Sequence, residues 1–318
     1  MGNFPRYVPE GFLVEVTTRT IHGRFLLRPS RRLNDIVCGI LCRAASTYDV
    51  GIVAFTVLSN HMHLLLVPRD AEQLAGFMCY VNGNLAKEAG RLHGWREKLW
   101  SRRYRAIVVS DEAEVQERRL RYLLEQGCKE GLVRSPREWP GASGTAAQLT
   151  GDPVRGWWFD RSAEYEARRR GESFAMYTHA VETSFELIPL PCWRDLPPEE
   201  RRHRVGEMVR EIEAETRQRL RDEGRSPLGT RRILRLHPHD APAHPSRSPA
   251  PRFHAATGTM RKALELAFYE FRVWYRQASA DLRAGRPNVE FPPGCFPPRL
   301  PFNLRHPPPF GPTLLPTG

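Results

Sequence analysis

Apolar and polar residues alternate along residues 12–19 (FLVEVTTR), which predicts a β-strand. Residues 31–48 change period. Leu33, Ile36, Val37, Ile40, Leu41 and Ala44 recur at helical spacing. Strands are then predicted over residues 50–58 and 61–68, paired across a tight Ser59-Asn60 turn, and a helix over 74–93. A fourth strand falls on residues 104–110 (YRAIVVS). Ser110 is placed to cap a third helix, DEAEVQERRLRYLLEQG, with an acidic first turn and an end at Gly127. The order β-α-β-β-α-β followed by α is the split βαβ plan of an α+β, ferredoxin-like fold. Both crossover helices then cover one sheet face. The other face is open, and the added third helix is free to lie across it.

The pattern changes from about residue 152. Residues 209–224 form a charged helix, and residues 226–236 (SPLGTRRILRL) a short one after Pro227. A Pro-rich stretch over 237–252 reads as a linker. Residues 260–283 form an amphipathic helix through Leu264, Ala267, Phe268, Phe271, Trp274 and Tyr275. Residues 287–318 hold 11 of the 28 prolines, which excludes helix and central strand there. The expected organisation is a sheet domain over 1–150, the part in which the candidate catalytic residues fall, and a helical extension over 151–236. The linker (237–252) and a helix with a Pro-rich tail (253–318) complete it. No internal repeat is visible.

Composition narrows the partners. The 318 residues include 41% hydrophobic ones and carry a net charge of +12, with Arg far more frequent than Lys. Such a balance points to a polyanion, nucleic acid first, although an Arg-rich proteome produces the same bias. Residues 1–150 hold 21 Lys and Arg against 15 Asp and Glu, or +6, which leaves +6 for the remainder. General attraction for DNA is therefore shared evenly. Six cysteines show no CxxC pair, and Cys38 and Cys42 fit a helix core better than a zinc site. With no signal peptide and no long apolar run, the expectation is a reduced, cytoplasmic protein without a membrane segment.

Candidate chemistry begins at His61-Met62-His63. In a strand, His61, His63, Leu65 and Val67 share one face, and Met62, Leu64 and Leu66 the other. Adjacent imidazoles build a poor core because each buried nitrogen needs a partner, but they hold a cation well. Two core histidines are the alternative. On the third helix, Tyr122 and Gln126 stand at i and i+4, which puts a nucleophile-capable phenol and a neutral oxygen donor on one face. If that helix crosses the open sheet face, both meet the histidines. Two imidazole nitrogens and one amide oxygen leave about three positions of an octahedral divalent ion for water and substrate.

Arg102, Arg103 and Arg105, together with the aromatics Trp100 and Tyr104, suit phosphates and stacked bases, or form a solvated strand entrance. Asn82 and Asn84 either contact DNA or sit on a helix surface. Arg231, Arg232 and Arg235 face a duplex or hairpin stem if the extension adds DNA grip and leaves the chemistry alone. The alternative is a brace whose aromatic helix packs on the sheet. His237 and His239 repeat the spacing, but Pro238 between them argues against a strand site.

The segments NHMHLLLVP, LAGFMCYVNGNLAKEAGRLHG, LWSRRYRAIVVSDEAEVQERRLRYLLEQGCKEGLV and WPGASG resemble, in order and spacing, single-tyrosine HUH transposases. These are the insertion-sequence-200-like and REP-associated tyrosine transposases, and the resemblance covers roughly residues 5 to 150. It implies that His61-Met62-His63 is the HUH motif, Tyr122 the nucleophile and Gln126 the third metal ligand. It further implies Mg²⁺ or Mn²⁺, single-stranded or hairpin DNA as partner, and a 5′-phosphotyrosine link with a free 3′-OH. A homodimer is compatible with it. Related proteins often have Asn-Pro where this chain has Gln126-Gly127, and Gln serves as the ligand in other branches. A non-catalytic nucleic-acid-binding module on the same sheet is the alternative function.

Overall fold

The computed structural model describes residues 5–243, 251–286, 288–293 and 295. Part of the expected linker (244–250) and most of the Pro-rich tail lie outside the described residues. The chain begins with β1 (Leu13–Arg19), α1 (Arg31–Tyr48), β2 (Gly51–Val57), β3 (His61–Val67), α2 (Ala71–His93) and β4 (Arg105–Val109). After these come α3 (Ala113–Leu124), α4 (Gln126–Lys129), α5 (Thr145–Thr150), β5 (Val154–Phe159), α6 (Arg161–Arg169) and β6 (Ala180–Phe185). The remainder holds α7 (Pro198–Asp222), α8 (Thr230–Ile233), β7 (Phe253–His254) and α9 (Gly258–Arg283).

Local chemistry sets the long helices. The Ser30 hydroxyl accepts from the Leu33 N–H, and the Asp70 carboxylate from Gln73 N–H, each satisfying an orphan donor of a first turn. α2 stops at Gly94, whose φ of 63° is a left-handed cap that favours glycine. The central sheet has the order β2-β3-β1-β4-β7, antiparallel except for the β4–β7 pair. The result is a mixed α/β unit around an antiparallel-rich sheet. Its first four strands are neighbours in the manner the split βαβ plan requires.

The two sheet faces are covered differently. Val14, Val16, Met62, Leu64 and Leu66 pack with α1 and α2 through Leu33, Ile40, Phe77 and Val81. Leu13, Leu65 and Val109 pack on the other side with Val115, Leu120 and Leu123 of α3. α3 therefore crosses the face that carries His61 and His63. One expected detail differs. The helix starts at Ala113, and Ser110 does not cap it. Its hydroxyl donates to Glu112 at 2.7 Å, and its backbone N–H is taken by the His254 carbonyl of β7. Residues far down the chain thus compete for the cap.

The extension packs back on the same unit. α7 buries Val205, Val209 and Ile212 in the cluster that contains α3, and Arg121 of α3 reaches Glu215 at 2.6 Å. α9 buries Leu264, Phe268 and Phe271 with Val108, Phe253 and Tyr7, so the aromatic helix packs on the sheet unit. The β5–β6 ribbon lies on α1, with backbone against backbone. A Cβ on Gly39 would collide with the Trp157 carbonyl oxygen, and one on Gly156 with the Gly39 nitrogen. Gly39→Ala or Gly156→Ala is expected to destabilise the protein by about 1–3 kcal/mol, because neither backbone can retreat without breaking its ladder. Urea denaturation midpoints check this, and an unchanged midpoint contradicts the close approach.

All six cysteines are free, and Cys38 lies in the core, where burial pushes its thiol up to about 12. No helix among the described residues is long and apolar enough to cross a membrane.

Candidate active site

His61 and His63 point from β3 toward α3, with ring centroids 5.1 Å apart. The Tyr122 ring meets His63 edge-on at 5.5 Å. Gln126 is buried; its amide nitrogen donates to the Tyr122 carbonyl at 2.8 Å, and its side chain also reaches His61. The helix does not run unbroken to Gly127 as expected. α3 ends at Leu124, and Gln126 opens α4, so the Tyr122–Gln126 approach spans a helix junction. The two imidazoles, the phenol and the amide nevertheless come together from β3, α3 and α4.

Each imidazole is held from behind. His61 Nδ1 lies 2.7 Å from Asn60 Oδ1, and Asn60 is itself fixed by donating its amide N–H to the Gly23 carbonyl. His63 Nδ1 lies 3.2 Å from Thr17 Oγ1 and 3.3 Å from Glu15 Oε1. A ring that gives Nδ1–H to an oxygen presents a lone pair at Nε2. The Gln126 amide, with its N–H spent on Tyr122, likewise presents oxygen. This donor chemistry fits a divalent cation on His61, His63 and Gln126. No group of three or more His, Cys, Asp or Glu side chains among the described residues is arranged to hold a metal. The set therefore depends on the neutral Gln126 as third donor.

Glu15 is the most informative residue that sequence reading passed over. Its buried carboxylate meets His63, Arg119 Nε at 2.8 Å and His254 Nε2 at 3.0 Å. Burial alone would raise its pKa. The His254 and His63 rings and the Arg119 charge outweigh that and hold the carboxyl well below its ordinary range. The signal was a charged residue among apolar ones in FLVEVTTR, aligned across the sheet with Leu65 beside His63. Asn60, directly before the first histidine, and Arg119, one helical turn before Tyr122, were equally in view. His254 was not, because only the fold brings it there. Glu15→Gln strands Arg119 with no carboxylate, so a loss on the order of 3 kcal/mol is expected, read as a lower thermal midpoint.

Electrostatics around the site are cationic. The Arg119 guanidinium lies 3.9 Å from the Tyr122 ring centroid and Lys129 Nζ 4.3 Å. Burial, then the charges of His63 and Arg19, push His61 down to about 3, partly offset by Gln126. The ordinary value is near 6.5, so the unfolded chain takes up a proton that the folded chain refuses between about pH 6.5 and 3. Stability from His61 is complete above that window and lost as pH falls through it. The depressed Glu15 extends the loss below about pH 4.5. Denaturation midpoints measured from pH 7 downward are expected to fall, with a weaker fall from pH 6.5 in His61→Ala.

The other candidates are scattered. Arg105 shares a cross-strand row with Thr17 and His63, and Arg102 and Arg103 are exposed just before it. Tyr104 is no open stacking platform, because Arg6 covers its ring at 3.5 Å. Asn82 and Asn84 lie on α2, on the sheet face away from Tyr122. The Asn82 carbonyl accepts from Trp100 Nε1, and Asn84 donates to the Tyr80 carbonyl, so the structure does not bring them to the site. Arg231, Arg232 and Arg235 are exposed on and just after α8, while Ile233 between them is buried. His239 is occupied with the His93 carbonyl and the Trp95 ring.

Residues 24–126 match the family described as transposase IS200 like, and this part of the chain is similar to the single-tyrosine transposases. Two solved structures are similar. A REP-associated tyrosine transposase bound to a REP hairpin is 18% identical with a TM-score of 0.40, over 50% of this chain and 93% of that one. A putative transposase from Deinococcus radiodurans R1 is 20% identical with a TM-score of 0.26, over 38% and 95%. No curated protein matches in sequence. The family match indicates a DNA-processing enzyme, a transposase.

Proposed function

We propose that the protein nicks single-stranded or hairpin DNA and transfers the strand through Tyr122. The observation that carries this reading is the phenol set edge-on against His63, beside a second imidazole, on a helix that crosses the sheet. In the proposed step the Tyr122 oxygen attacks phosphorus, and the P–O bond to the 3′ oxygen breaks. The phenol loses its proton and the 3′ oxygen gains one. One phosphoester replaces another, so the link stores the bond for rejoining without an added energy source. A protonated phenol is a poor nucleophile. Arg119 and Lys129 beside the ring favour negative charge as it develops on the oxygen. His61, His63 and Gln126 would hold a Mg²⁺ or Mn²⁺ ion, which when bound lowers the charge on a phosphate oxygen and eases attack. Glu15, Thr17 and Asn60 keep the imidazoles oriented.

The direct test is a labelled single strand incubated with protein and Mn²⁺, then run on a denaturing gel. A shifted, protease-sensitive band that carries the label is expected. Binding without any adduct or nick would select the non-catalytic module instead.

A further inference from the structure

Among the described residues, β4 has a free edge over residues 105–107, because β7 pairs only with Val108 and Val109. The N-terminal segment and the extension converge on that edge. Between them lies an open cleft of about 330 Å³ lined by Arg6, Arg102, Arg103, Arg105 and Arg252. No carboxylate lines it, and none of the five makes an ion pair among the described residues. Elsewhere this chain pairs its arginines freely, as with Arg121, Arg161 and Arg204. Five uncompensated guanidiniums in one concavity repel each other, and a polyanion relieves that cost.

Two of them also rest on aromatic rings. Arg6 lies flat on Tyr104 and donates to the Tyr104 carbonyl at 3.3 Å. Arg252 stands 5.2 Å from the Phe268 ring centroid of α9. Held guanidiniums lose less freedom when they grip phosphate. The position matters as well. Arg105, Thr17 and His63 form one row across three neighbouring strands, so the cleft begins roughly 10 Å from His63 at ordinary strand spacing. A strand that crosses Tyr122 reaches it within a few nucleotides.

We infer that this cleft binds the phosphodiester backbone of single-stranded DNA, holding the stretch that flanks the phosphate presented to Tyr122. The inference rests on the proposed function for its choice of strand. A duplex carries its phosphates around a broad cylinder that a concavity of this volume does not admit. The extension thereby contributes Arg252, seated on its aromatic helix, to the substrate track.

The test is fluorescence anisotropy of a labelled oligothymidine and a random-sequence duplex, with full-length protein, across a salt series. Arg103→Ala/Arg252→Ala is expected to bind the oligothymidine about tenfold more weakly. Its log–log salt slope should be shallower by about 0.7 for each phosphate no longer neutralised. Arg252→Lys should recover part of the affinity, and Arg169→Ala, on α6, should match wild type. Circular dichroism of each variant separates weakened phosphate grip from unfolding. Unchanged affinity and slope in the folded double variant overturn the cleft, as does an equal loss on duplex. Absence of a covalent adduct in wild type overturns the Tyr122 reading instead, and the anisotropy result judges the cleft by itself.

Discussion

Tyr122→Phe is expected to abolish both the nick and the covalent protein–DNA band, a loss on the order of 10⁴-fold or more in single-turnover rate. The substitution removes one oxygen. It keeps the ring that packs on His63 and lies against Arg119 and Lys129. It also keeps the backbone carbonyl that receives the Gln126 amide. Stability and affinity for a single strand should therefore stay close to wild type, since grip comes mainly from Arg–phosphate contacts. An adduct that survives in Tyr122→Phe assigns the nucleophile elsewhere, and Tyr104 and Tyr80 would be next to replace.

The His61→Ala/His63→Ala double variant should lose cleavage nearly as completely, for a different reason. Both rings present Nε2 toward α3 because their Nδ1 atoms are engaged by Asn60, Thr17 and Glu15. Removing them leaves only Gln126 as a donor. Wild-type protein should gain thermal stability as Mn²⁺ is added, since an ion that binds only the folded state stabilises it by mass action. The double variant should gain none. This readout does not need DNA. A Mn²⁺-dependent shift of wild-type size in the folded double variant would place the cation elsewhere.

These two results also separate what the chain's pattern announces from what it conceals. Strand and helix periods place His61 and His63 on one face and Tyr122 near Gln126, since both relations span only two to four residues. The β-α-β-β-α-β order with an added helix follows from the same periods, whereas packing decides that α3 crosses the face of the histidines. The break between Leu124 and Gln126 was not legible, because no Pro or Gly precedes it and α7 packs against that turn. Nor was the role of Ser110, whose N–H goes to a carbonyl 144 residues away.

Sequence by itself thus determined the four strands and three long helices up to about residue 124, and a basic chain carrying an imidazole pair and a phenol. Tertiary structure alone decided that Glu15 ties His63 to Arg119 and His254, and that Arg6, Arg105 and Arg252 meet at one sheet edge. The reason is physical. Periodicity records which side of its own element a residue faces, whereas a buried ion cluster depends on which distant element covers that side. Here α3 and β7, the latter more than 230 residues after β1, supply the cover.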